Sequence, residues 1–79
     1  MTHELKILPD YFAAVVSGEK TFEVRKDDRA YKVGDSLVLK ETGGHGLTGR
    51  ETKVKVSYIL RDPTYCKAGF CILGIKPDI

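Results

Sequence analysis

Apolar and polar residues alternate through most of this chain, and glycine, proline or aspartate interrupts the alternation at short intervals. In His3–Ile7, Leu5 and Ile7 share one face, which predicts a first strand. Leu8-Pro9-Asp10 then starts a helix over Pro9–Ser17. Proline suits the first helical position, and Asp10 complements the positive end of the helix dipole. Leu8, Phe12, Val15 and Val16 form a narrow apolar stripe on a helix too short to stand alone, so it must pack on a sheet. Gly18 ends the helix in the left-handed conformation, and the stretch Gly18–Lys26 turns into a second strand. There Phe22 and Val24 point one way, as an apolar back that anchors the strand to a core. Glu23 and Arg25 share the opposite face, with Lys20 at the mouth.

Asp27–Tyr31 reads as a polar connection and Val33-Gly34-Asp35 as a turn into a strand over Ser36–Lys40, with Leu37 and Leu39 inward. Thr42–Gly49 is glycine-rich and predicts a hairpin tip. Arg50–Leu60 is the clearest strand: Val54, Val56, Tyr58 and Leu60 make a dry face, while Lys53 and Lys55 make much of the other basic. Asp62-Pro63 breaks it. Phe70–Ile75, apolar on both faces, predicts a central, fully covered strand, and Lys76–Ile79 a loose tail. Five short strands and one early helix predict an α+β fold: a small β-barrel of about five to six mostly antiparallel strands, with closure removing exposed edges.

Length and composition narrow the picture. At 79 residues the chain is one domain with an economical core, and a hydrophobic share of 42% excludes disorder. The formal charge of +2 is far from that of a dedicated duplex-DNA binder, so any nucleic-acid site must be local. Cys66 and Cys71 are too few for a disulfide scaffold, and with only His3 and His45 besides, no metal-ligand spacing emerges. No metal or cofactor is expected. The first residues lack the pattern of a secretory signal, and no apolar run approaches the ~20 residues of a membrane span. The expectation is a soluble, cytoplasmic protein without membrane contact, a monomer or weak dimer.

Among candidate chemistries, Gly44–Arg50 lacks the Lys-Ser/Thr and following helix of a phosphate loop and reads as a flexible tip. No nucleophile elbow or Cys–His pair stands out. Arg25 beside Glu23 favours ion pairing and hydrogen-bond acceptance over a general-acid role, although a solvated strand face would carry the same charges. His3 reads as structural and His45 as a solvated loop residue. The stronger lead is the early basic cluster of Lys20, Arg25, Lys26, Arg29 and Lys32, followed by Lys53 and Lys55 and accompanied by four tyrosines. Single-stranded nucleic acid is held by such mixtures of phosphate contacts and stacking rings.

The pattern Gly18-x-Lys20-x-x-Glu23-x-Arg25 resembles the G-x-K-x-x-E-x-R signature of the ASCH domains, a branch of the PUA-like superfamily. Across nearly the whole chain, His3–Ile7, Pro9-x-Tyr11-Phe12, Phe22–Lys26, Asp28-Arg29, Val33–Asp35 and Thr48–Arg50 resemble a small family of single-domain bacterial and phage ASCH-like proteins of unknown function. The resemblance implies a PUA-like barrel with a helix near the signature and an RNA-binding cleft beside it. A related amidohydrolase acting on N4-acetylcytidine carries a threonine where this chain has Glu23, which removes the hydroxyl given the nucleophile's role there. Thr21, placed on Glu23's face by strand parity, is a poor substitute.

The leading expectation is therefore an RNA- or nucleotide-binding module using Lys20, Glu23, Arg25, Lys26, Arg29 and Lys32. The alternative is a small amidohydrolase acting on a modified nucleoside through Lys20, with Glu23 and Thr21. A third is a protein-interaction module using an exposed strand edge. No catalytic residue is expected under the first.

Overall fold

The alternating segments become β1 (Thr2–Ile7), β2 (Phe22–Lys26), β3 (Ser36–Gly43), β4 (Gly46–Leu60) and β5 (Phe70–Pro77), and the helix α1 spans Pro9–Val16. The computed structural model describes residues 1–78. The strands form one sheet in the order β1-β3-β4-β5-β2. β1 pairs with β3 in parallel, and the other three pairings are antiparallel. The α+β class and the mainly antiparallel pairing match the sequence expectation, but the barrel does not close. The sheet curls into a half-barrel whose edges, β1 and β2, face each other across a seam. Side chains span that seam: Arg25 Nη2 donates to the Lys6 carbonyl at 2.8 Å and Arg29 Nη1 to the Glu4 carbonyl at 3.1 Å. Two edge carbonyls that invite strand addition are thereby occupied.

The concave face holds the core. Leu37, Leu39, Val56, Cys71 and Leu73 are its most deeply buried members, and α1 covers one end through Phe12 and Val15. Leu8 and Val16, expected on the same stripe, are exposed, so the helix buries a narrower face than its spacing predicts. Glu41 anchors the far end of β3 beneath α1. It accepts from Arg50 Nε at 2.9 Å, from Arg50 Nη2 at 2.7 Å and from Thr48 at 2.9 Å. The Arg50 guanidinium lies 5.2 Å from the Phe12 ring, and its hydrogen bonds hold the Glu41 carboxyl below the usual range.

Four expectations are corrected. The predicted tip at Thr42–Gly49 is mostly strand, because β3 runs to Gly43 and β4 starts at Gly46, where φ is +102°. Tyr58 does not continue the dry face of β4. A bulge between Val56 and Tyr58 shifts the register, turning Tyr58 outward (65% exposed) and letting Ile59 pack on the core. β5 is covered on one face only: Cys71, Leu73 and Ile75 are buried, while Ile72 and Gly74 lie on the convex side. The tail is partly ordered, since Lys76 and Pro77 belong to β5 and Asp78 accepts from Ser36 Oγ at 2.7 Å; Ile79 lies outside the described residues.

Sequence reading also misplaced Tyr31, which is buried under β1. It packs edge-on against His3, ring centroids 4.9 Å apart, and Ala30 before it takes a left-handed φ of +50° to turn it inward. His3 is structural, as expected: its Nε2 lies 2.8 Å from Asp35 Oδ2. That hydrogen bond, with the Lys32 N–H and the Met1 ammonium, draws the Asp35 carboxyl down to about 2.

Val56, 1% exposed, and Tyr58 stand on opposite sides of the bulge. Val56→Asp should cost about 4 kcal/mol by burying an unpaired charge, and Tyr58→Asp less than about 1 kcal/mol; equal losses in urea denaturation would refute the bulge. For Asp35, the depressed value means that its stabilisation is present above the ordinary 3.8 and is lost as the pH falls toward about 2. Asp35→Asn should be less stable than the parent at neutral pH, and its stability should change less across that acid window, as followed by circular dichroism.

Candidate functional site

The face assignment of β2 is the reverse of the one its alternation predicts. Glu23 is buried at 3% exposure, whereas Phe22 and Val24 are 45% and 53% exposed. The cause is pairing with β5. Glu23 stands opposite Leu73 and Arg25 opposite Cys71, both on the concave face, while Phe22 and Val24 stand opposite Gly74 and Ile72 on the convex face. A strand joining this sheet edge must continue those faces, whatever its own polarity.

A buried carboxylate needs partners, and the local chain supplies them. Gly18, at φ +84°, reverses the chain after α1. Its N–H donates to Val15 O at 3.1 Å, and the Lys20 N–H reaches back to Ala14 O at 3.0 Å. This tethers Lys20 to the helix end, so its side chain meets β2. Lys20 Nζ donates to the Phe22 carbonyl at 2.6 Å and to Glu23 Oε1. The ammonium also lies 4.9 Å from the Phe22 ring and 5.6 Å from the Tyr11 ring, within cation–π range of both. Arg25 donates to Glu23 Oε2 from Nε at 2.9 Å and from Nη2 at 2.7 Å.

These groups line a cleft of about 480 Å³ at the seam between β1 and β2, roofed by Leu8 and Tyr11 of the α1 end. That volume falls within the range typical of small-ligand sites. Lys20 retains one N–H beyond the bonds described, Arg25 retains both Nη1 hydrogens, and Glu23 Oε1 retains a lone pair. The cleft thus offers two cationic donors beside one anionic acceptor, with the aromatic carbon of Tyr11 and Phe22 in its lining.

The other expected site residues separate. Lys26 and Arg29 join Arg25 around an adjoining hollow of about 300 Å³ floored by Tyr31. Lys32 borders neither hollow; its N–H serves Asp35. Thr21 does not share Glu23's cleft. β2 begins at Phe22, and Thr21 lines a second hollow with Val15, Ser17 and Ile75, which Lys20 also borders. The sequence offers Tyr11 only as one of four available rings, and it leaves the Lys6 carbonyl unmarked. An exposed ring next to buried Phe12 was the available signal for Tyr11; a backbone carbonyl leaves none.

The fold and cleft define a small α+β half-barrel with a charged, aromatic-walled site at its open seam. The chain belongs to the family described as Domain of unknown function (DUF3850), whose model matches residues 2–75. A relative from Escherichia phage P2, an uncharacterized 12.9 kDa protein in the GpA 3' region, is 40% identical over 55 residues. The match covers 70% of this chain and 50% of that protein, so the chain spans about half the length of this relative. The crystal structure of hypothetical protein PH0355 shares the fold, with a TM-score of 0.69 at 18% identity, covering 99% of this chain and 100% of the other. Among the described residues no helix is long and apolar enough to cross a membrane.

Removing the Glu23 carboxylate leaves two part-buried cations facing each other. Glu23→Ala should cost about 3 kcal/mol and Glu23→Gln, which keeps an acceptor oxygen, about half of that. Urea midpoints at constant m-value measure both, and an unchanged Glu23→Ala midpoint would show that the carboxylate is not buried as described.

Proposed function

We propose that the chain is an ASCH-type, PUA-like module that binds RNA or nucleotides in the cytoplasm, through the cleft beside Gly18-x-Lys20-x-x-Glu23-x-Arg25. The observation that carries this reading is the inverted β2, which directs Glu23 and Arg25 inward to a walled cleft where Lys20 meets them from the turn after α1. Donors of this kind match base carbonyls, ring nitrogens or phosphate oxygens, and the carboxylate matches an exocyclic amine. Tyr11 and Phe22 flank the space a planar base would enter. Arg29 and Lys26 extend the basic rim toward the next nucleotide.

The contact between Lys20 and Glu23 favours one second reading, a small amidohydrolase acting on a modified nucleoside through Lys20. Against it, the only hydroxyl among the side chains lining the cleft is that of Tyr11, and Thr21 borders Lys20 only in the adjoining hollow, away from Glu23.

Titration of amide shifts with cytidine 5′-monophosphate should map to Tyr11, Lys20, Phe22 and Arg25. Lys20→Ala should weaken binding roughly tenfold by removing a charged hydrogen bond, while Lys53→Ala with Lys55→Ala should change it little. Affinity for short single-stranded RNA should fall with added salt at a shallow slope, because few phosphates are neutralised. Incubation with N4-acetylcytidine should release no cytidine above background. Lys20-dependent release would replace the binding reading with the hydrolase, and absence of any shift would remove the nucleotide reading.

A further inference from the structure

The reversal that buries Glu23 leaves an unexplained surface on the other side of the sheet. Register places Phe22, Gly74 and Tyr58 in one row across β2, β5 and β4 on the convex face. Beside it lies a second row, Val24, Ile72 and Leu60. Among the described residues no helix or loop covers these rows: Phe22, Val24 and Tyr58 are exposed and the others half-buried.

Lysines border this patch on two opposite sides, with one acid beside them on each, Asp78 at one and Asp28 at the other. Lys76, next outward-facing residue after Gly74 on β5, stands opposite Lys55 of β4, and the two border a shallow hollow with Pro77 and Asp78. At the other end Lys26 stands opposite Phe70, whose ring has the Lys67 ammonium 5.7 Å from its centroid. Asp78, the acid at the first border, is engaged by Ser36 Oγ.

Gly74 gives the row its shape. A Cβ there would meet Ser57 Oγ at 3.2 Å and Tyr58 Cβ at 3.4 Å, so a side chain fits only if Ser57 gives by a few tenths of an ångström. The two rings are therefore rooted about 9.5 Å apart, two strand spacings, with nothing rising between them. Flat aromatic faces over a bare floor, with ammonium groups on opposite borders, complement a chain of planar rings joined by phosphates.

We infer that this convex face, with Phe22 and Tyr58 as its stacking rings and Lys55, Lys76 and Lys26 as its phosphate contacts, is a second binding surface for single-stranded nucleic acid, continuous with the cleft. Phe22 joins the two, since it lines the cleft and also stands in the convex row. One nucleotide occupies the cleft, and its neighbours pass over Phe22 onto the sheet. The inference rests on the nucleotide reading of the cleft, and it adds an occupant the cleft does not require. A polyanion without planar rings, such as polyphosphate, would leave the aromatic row unused. A second copy of this chain would bring these lysine-bearing borders together, and concentration-dependent dimerisation would reveal it.

Binding of oligouridylate of about eight nucleotides, a length within the range of single-domain sites, and of cytidine 5′-monophosphate should be measured on the parent, Tyr58→Ala and Lys20→Ala. Tyr58 is exposed, so its truncation leaves the core intact. Tyr58→Ala should weaken the oligonucleotide about tenfold, in line with the loss of one stacked base, and leave the mononucleotide unchanged. Lys20→Ala should weaken both. If Tyr58→Ala leaves oligonucleotide affinity intact while Lys20→Ala lowers it, the convex surface is refuted and the cleft reading stands. If Tyr58→Ala weakens the oligonucleotide and Lys20→Ala affects neither ligand, the convex surface stands and the cleft reading fails. Binding of neither probe removes both. Concentration-dependent dimerisation that Tyr58→Ala abolishes would assign the face to self-association and overturn the proposal.

Discussion

The fold turns on one buried carboxylate. Glu23 receives Lys20 from the turn after α1 and Arg25 from its own strand, and Arg25 continues to the Lys6 carbonyl on the opposite edge of the sheet. Helix end, second strand and first strand are thus tied at a single point. Among the described residues no backbone ladder holds the seam, so side-chain hydrogen bonds carry that role. Charged hydrogen bonds are stronger than neutral ones, and low local dielectric strengthens them further. The same environment makes each partner costly to lose, which couples the integrity of the cleft to the chemistry of its walls.

Much of this was legible in the chain. Element order, the helix start at Pro9, the left-handed glycine after it and the mainly antiparallel sheet followed from local pattern. So did the grouping of Glu23 and Arg25, since two-residue spacing on a strand fixes a shared face, and of Lys20 beside them, at the turn where helix gives way to strand. What local pattern cannot decide is which face meets the core. Phe22 and Val24 were assigned inward because apolar residues usually go there; pairing with β5 set the opposite sense. Tyr58 failed for a related reason: one extra residue in β4 inverts every side chain beyond it. Closure could not be read either, because it depends on whether the first and last strands in space meet, a property of global curl.

The convex and concave faces of this sheet answer to different constraints. The described residues of this 79-residue chain hold one helix, and it covers one end of one face. The convex face is left to solvent, where lysines on β4 and β5 suit it well. Against that background an exposed phenylalanine, valine and tyrosine in adjoining rows have no packing role to explain them. Scattered surface apolar residues are ordinary; contiguous ones on a sheet face point to a partner.

A one-residue slip of β2 shows what the observed register achieves. The slip would turn Phe22 and Val24 inward and Glu23 and Arg25 outward. By area alone that arrangement buries more apolar surface and exposes more charge, so hydrophobicity favours it. It would also remove the carboxylate from the cleft, release Arg25 from Lys6 and put the Phe22 ring where the ligand space now lies. Three local features oppose it. Lys20, tethered to the helix end by its amide, meets Glu23 only in the observed register. Gly74 gives Phe22 a neighbour without a side chain. The Asp27 amide bonds the Gly69 carbonyl at 2.9 Å and fixes the strand's exit. A register held by polar contacts against the hydrophobic alternative is a local conflict between pattern and fold, and such conflicts gather where a structure serves binding rather than stability alone.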